Sequence, residues 1–179
     1  MKNNFREYLK NPPALKYADK LADEILLQPE KFDVFFELMF DEDESIAWKA
    51  GWVCDKVSRK SPDLFSDPIL KLIINAALKT KHQGTLRSYL SILNNLHLPS
   101  PVNIDFINHC FEWMSHPRND VSIQVLSMKI LFSFTQKEPD FIPELLLYLE
   151  NITQDEYKPG YNAARRKIIK SLKNNTLVQ

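Results

Sequence analysis

Apolar residues recur at helical spacing along most of this chain. From Ile46 to Val57 the apolar positions are Ile46, Ala50, Val53, Cys54 and Val57, an i, i+4, i+7, i+8, i+11 pattern that places them on one helix face. Leu15, Ala18, Leu21, Ala22, Ile25 and Leu26 form a similar stripe, as do Phe32, Phe35, Phe36 and Met39. The pattern predicts helices over roughly 14–27, 30–40, 45–60, 67–80, 84–97, 103–115, 120–137, 140–152 and 160–174. The prolines fall between these stretches or in a first helical turn, where a missing N–H costs nothing. Asp67, Asp120 and Asp140 stand at helix starts, as N-caps and the helix dipole prefer. The chain has three glycines, and no pair of alternating runs is joined by a hairpin turn, so strand signals are nearly absent.

The pattern also repeats. Val53, Ile92 and Ile130 are 39 and then 38 residues apart. Each is followed by an apolar neighbour (Cys54, Leu93, Leu131) and by another four positions on (Val57, Leu96, Phe134). Each copy then closes on a proline, Pro62, Pro101 or Pro139. Lys60-Ser61-Pro62-Asp63-Leu64 lines up with Lys137-Glu138-Pro139-Asp140-Phe141. A period near 40 residues with two helices per period is the signature of stacked helical hairpins, each burying its apolar face only against its neighbours. The expected fold is all-α, a right-handed α-α superhelix of about 4.5 hairpins in one domain over 1–179. Residues 1–13 would be an N-terminal segment and 158–179 a capping helix with its tail. In that last helix Tyr161, Ala164, Ile168, Ile169 and Leu172 can face the stack, and Arg165, Arg166, Lys167, Lys170 and Lys173 can face water.

On these repeats the chain resembles HEAT-type or armadillo-like α-solenoids from about residue 14 to 174. A tetratricopeptide array fits less well, because its period is nearer 34 residues. The chain is also similar to short bacterial helical-repeat proteins of unknown function, some of which carry an adenylosuccinate lyase label. That label implies a Ser-Ser-x-Met-Pro loop. The nearest fragment here, Met114-Ser115-His116-Pro117, lacks the serine pair, so lyase activity is not expected.

Composition adds little beyond a water-exposed globular chain: 44% hydrophobic and 26% charged. A formal net charge of zero weighs against a dedicated binder of nucleic acid or anionic membrane, which needs accumulated positive charge. Cys54 occupies a repeated core position, so Cys54 and Cys110 are read as reduced packing residues of a cytoplasmic protein. Met1-Lys2-Asn3-Asn4-Phe5 opens no signal peptide, and no apolar run reaches the length of a membrane span.

The candidate recognition residues lie on the 45–60 helix. Advancing about 100° per residue, Trp48, Trp52, Asp55 and Arg59 fall opposite the Ile46–Val57 stripe. Tryptophan and arginine are typical interface anchors, but large aromatics are also mostly buried, so packing against the preceding repeat is the competing expectation. The same residues resemble those of HEAT-like DNA glycosylases that remove alkylated purines, and that likeness would make Trp52 and Asp55 the lesion-binding pair. Their spacing is three where that family's pattern has four, and acidic residues such as Glu37, Asp105 and Glu112 interrupt any basic stripe. His82, His97, His109 and His116 are scattered without ligand spacing. Serines such as Ser88, Ser91 and Ser127 read as small packing residues. No phosphate loop, nucleophile elbow or catalytic pair is present. The expectation is no catalytic residue, no metal and no cofactor.

Charge is unevenly laid out. Residues 19–44 hold ten acidic side chains against Lys20 and Lys31, and 158–173 hold six basic ones and no acid. The chain is therefore expected to be a monomer or to self-associate weakly head to tail. The function expected is a non-catalytic module that binds a protein partner, through a concave helix face or the Trp48/Trp52 patch. A nucleic-acid-binding relative of the alkylpurine glycosylases is the alternative.

Overall fold

A computed structural model describes residues 1–11 and 16–176, with the side chains of Gln154, Asn175 and Thr176 outside that description. Leu15, used above in the first helical stripe, lies outside the described residues, as do Pro12 and Pro13. The elements are α1 (Lys2–Lys10), α2 (Tyr17–Leu27), α3 (Phe32–Leu38), α4 (Glu44–Lys60), α5 (Asp67–Ala77), α6 (Gln83–Asn95), α7 (Ile104–Ser115), α8 (Val121–Thr135), α9 (Ile142–Glu150) and α10 (Pro159–Thr176). The described residues contain no strand. The fold is all-α, of the α-α repeat class.

The pattern located the helices from residue 30 onward to within a few residues. The late starts of two helices have a common cause. Short 3₁₀ turns at Pro29–Lys31 and Pro139–Phe141 take up the first residues assigned to α3 and α9. Another, Pro62–Leu64, separates α4 from α5. Proline supplies the fixed φ of such a turn and cannot extend the helix before it. α1 was not anticipated. It offers only Phe5 and Leu9 as an apolar pair, yet Leu9 is fully buried and Phe5 packs on Phe35 at 4.7 Å. Packing, not propensity, stabilises so short a helix.

The chain forms two compact units, Met1–Pro101 and Val102–Gln179. In the first, α4 is the central helix and packs against α1, α2, α3 and α6, while α5 packs on α6. Its Asp43 cap accepts from the Ser45 amide at 2.9 Å. Lys49 Nζ donates to the Leu9 and Lys10 carbonyls at 2.8 and 2.9 Å, satisfying the C-terminal end of α1. Tyr89 of α6 donates to the Met39 carbonyl at 2.6 Å, tying α6 to the end of α3. In the second unit α7 packs on α8, and α10 packs on α8 and α9. The repeated pairs are core in each copy: Val53, Cys54, Ile92, Leu93, Ile130 and Leu131 are all buried. Both cysteines are free and fully buried. Burial pushes both thiols well above their ordinary range, so neither is a reactive thiolate.

Five of the ten acidic side chains of 19–44 form close ion pairs inside their own unit. Asp19 pairs with Lys56 at 3.0 Å and Asp23 with Lys60 at 2.5 Å, joining α2 to α4. Glu24 pairs with Lys31, Glu37 with Lys2 at 3.0 Å, and Asp41 with Arg6 at 2.8 Å. The Arg6 guanidinium bonds both carboxylate oxygens of Asp41 and holds that carboxyl below its ordinary range. A depressed folded value stabilises the native state above the ordinary carboxylate range and ceases to do so as pH falls through the depressed value. Arg6→Met should therefore lower the urea midpoint at neutral pH, with the gap from wild type closing in strong acid. A gap that stays constant with pH would show that the pair is not formed.

Candidate functional site at the α4–α6 seam

Four contacts along α4 and α6 advance together in number. Trp48 lies over Gly84 and Gly51 against Ser88; Asp55 bonds Ser91 and Asn95, and Ser58 bonds Asn95. The two helices are therefore parallel, offset by one hairpin. A Cβ on Gly51 would lie 2.9 Å from Ser88 Cβ, so glycine here permits a close approach of the two backbones.

Asp55 is the polar centre of the seam, its side chain 8% exposed. Its Oδ1 accepts from Ser91 Oγ at 2.5 Å and Asn95 Nδ2 at 3.0 Å. Asn95 also donates to Ser58 Oγ at 2.9 Å. Arg59 Nη2 reaches both carboxylate oxygens, at 3.2 and 3.1 Å, and Ser91 Oγ at 3.2 Å. The guanidinium is 56% exposed, so the ion pair is screened, whereas the Ser91 and Asn95 bonds are shielded and directional.

The tryptophans share one side of α4. Their rings stack at 6.4 Å with 11° between planes. Trp52 meets Tyr17 of α2 edge-on at 5.5 Å. Trp48 leans on α6, where a Cβ on Gly84 would come within 2.9 Å of its Cδ1. Both are half-buried. Trp48 Nε1 and the Tyr17 hydroxyl are buried without a hydrogen-bond partner among the described residues, and burial raises the Tyr17 hydroxyl to about 12.

The helical wheel set Trp48, Trp52, Asp55 and Arg59 opposite the core stripe. The structure brings these residues together, but that side of α4 is itself covered by α2 and α6. Asp55 is an internal hydrogen-bond acceptor there, the tryptophans are shared between packing and solvent, and Arg59 is the exposed member. Sequence reasoning missed the partners Ser58, Ser91, Asn95 and Gly84. The available signal was a pair of small-residue runs, Gly51…Ser58 and Gly84…Ser88…Ser91, one repeat apart.

The histidines have local roles. His82 Nδ1 accepts from the Thr85 amide at 3.1 Å as the cap of α6, and His109 packs on Trp113 at 5.6 Å. Among the described residues no group of three or more His, Cys, Asp or Glu side chains could hold a metal ion.

A seam of small residues and buried hydrogen bonds between successive hairpins, with large aromatics at its edge, is the packing of an α-helical repeat protein. The family comparison agrees: a HEAT repeat domain matches residues 5–172. The chain belongs to the HEAT repeat family. HEAT repeat domains are helical scaffolds often used for protein interaction. No curated protein and no solved structure matches the chain. No helix among the described residues is long and apolar enough to cross a membrane.

Proposed function

We propose that this chain is a non-catalytic helical-repeat module that binds a protein partner, with the Trp48/Trp52 edge and Arg59 as one contact surface. The observation that carries the reading is the stacked tryptophan pair. Two large rings remain half-exposed on the side of α4 that also carries an exposed guanidinium, the side-chain types that dominate binding energy at interfaces. The engaged state of Asp55 favours this reading over lesion chemistry, since its carboxylate is already taken by Ser91, Asn95 and Arg59.

The test is affinity capture from the native cell extract with wild type, Trp52→Ala and Arg59→Glu baits, each shown by circular dichroism to be folded. A protein held by wild type and lost by both variants supports the reading. Identical recovery by all three baits removes this surface from the function. Steeply salt-dependent binding of duplex DNA, abolished by Arg59→Glu, would replace the reading with nucleic-acid binding.

A further inference from the structure

The second turn of α10 holds a buried cation with an unused edge. The helical pattern set Arg165 toward water, yet the residue is 6% exposed. Its Nη1 donates to the Ile152 carbonyl, in the turn after α9, at 2.8 Å. That is the guanidinium's one hydrogen bond among the described residues. Its Nε is buried without a partner, and Nη2, also unbonded, is open to solvent. Asp155 and Glu156 are exposed in the turn that follows Ile152, and neither forms an ion pair with Arg165.

A neutral carbonyl does not compensate a buried charge. An arginine withdrawn from water without a counter-ion is costly, and its five donors come with no acceptor. The donors left over here also have a shape. Nε–H and one Nη2–H point the same way from one edge of the planar group, the fork that meets two oxygens of one oxyanion.

Tyr161 lies one helical turn before Arg165, on the same face of α10. It is fully buried and its hydroxyl has no partner among the described residues. Its ring stacks on Tyr157 at 4.4 Å, whose own hydroxyl donates to the Ser115 carbonyl at 2.5 Å. Burial, with Tyr157 beside it, raises the Tyr161 hydroxyl, and the Arg165 charge opposes that rise. The hydroxyl is thus a protonated donor within the field of the buried cation.

We infer that Arg165 and Tyr161 form a binding site for a carboxylate group, held on the Nε/Nη2 edge with the Tyr161 hydroxyl as a third donor. Charge favours carboxylate over phosphate. One buried cation is balanced by a monoanion. A phosphate carries nearly two negative charges, and the charge of Glu156 already acts on neighbouring Tyr157. The carboxylate belongs either to a free small acid or to the C-terminus of a peptide. The site lies within the second unit and is independent of the tryptophan pair.

The experiment follows the Arg165 Nε–H signal of the full, ¹⁵N-labelled chain by NMR, assigned through bonds so that it depends on no variant. The probes are sodium acetate, sodium propionate and inorganic phosphate, each against sodium chloride at equal ionic strength. A pool of hexapeptides lacking Asp and Glu, with free or with amidated C-termini, distinguishes the two sources. Acetate and propionate are expected to move the signal and to half-saturate at about 1 mM, the scale open to so few atoms. Phosphate should bind more weakly, and chloride should have no effect. Tyr161→Phe, which keeps the ring, should weaken acetate about tenfold, and Trp52→Ala should leave it unchanged. Tighter binding of the free-terminus pool than of acetate, lost on amidation, would support the site with a peptide C-terminus as its ligand. Binding of acetate with none of the pool would support it with a small acid. A signal that no carboxylate moves, a shift that grows without saturating or is matched by chloride, or tighter binding of phosphate overturns the inference. So does equal affinity for acetate in wild type and Tyr161→Phe.

Discussion

Gly51→Leu is expected to cost the first unit about 3 kcal/mol or more, the upper range for overpacking a close-fitted site. The reason is distance. A Cβ alone at position 51 would stand 2.9 Å from Ser88 Cβ, and a Cβ is fixed to its backbone and cannot rotate away. Leucine adds three more carbons at this close contact between α4 and α6. Gly51→Ala is the sharper test, because two effects oppose each other. Alanine is favoured over glycine in a helix by about 1 kcal/mol, while the contact with Ser88 pushes the helices apart. The contact is expected to win, leaving Gly51→Ala less stable than wild type in urea. In a Ser88→Gly background the obstruction is gone, and the same change should become stabilising. If Gly51→Ala stabilises the otherwise unaltered chain, α4 and α6 are not in the contact described.

Asp55→Ala should cost about 3 kcal/mol, the scale for leaving buried partners of a charged group unpaired. The Ser91 hydroxyl and the Asn95 amide would lose their acceptor in a place water enters poorly. Asp55→Asn keeps one carbonyl oxygen and the side-chain volume, so its cost should be nearer 1 kcal/mol. Arg59→Ala should cost about 0.5 kcal/mol, since its guanidinium is largely exposed. The order of the three thermal or urea midpoints is the measurement. If Arg59→Ala proved as damaging as Asp55→Ala, the ion pair rather than the hydrogen bonds to α6 would be holding the carboxylate.

These predictions lie where the sequence was least informative. Helix positions and core pairs such as Val53–Cys54 and Ile130–Leu131 were legible because burial imposes a 3.6-residue period. The side of α4 bearing Trp48 and Asp55 was legible only as a set of residues. A helical wheel distinguishes two faces, but a central helix in a stack is covered on more than two. Small residues carry the rest of the seam, and Gly51, Ser88 and Gly84 have little hydropathy for a periodicity argument to detect. α1 escaped for a related reason: two apolar residues in one short segment make no stripe. The charge count of 19–44 was correct but its consequence was not visible, because Lys56, Lys60, Arg6 and Lys2, which offset it, are distant in sequence.

The division at Pro101 bears on how the chain is made. Every contact drawn for α4, from Leu9 of α1 to Asn95 of α6, lies within the first compact unit. Units of this kind generally fold whole and in order of emergence during translation. The α4–α6 seam can thus close once residue 101 has left the ribosome, without waiting for α7 to emerge. The newly made first half then has no need of a later segment to cover its buried carboxylate.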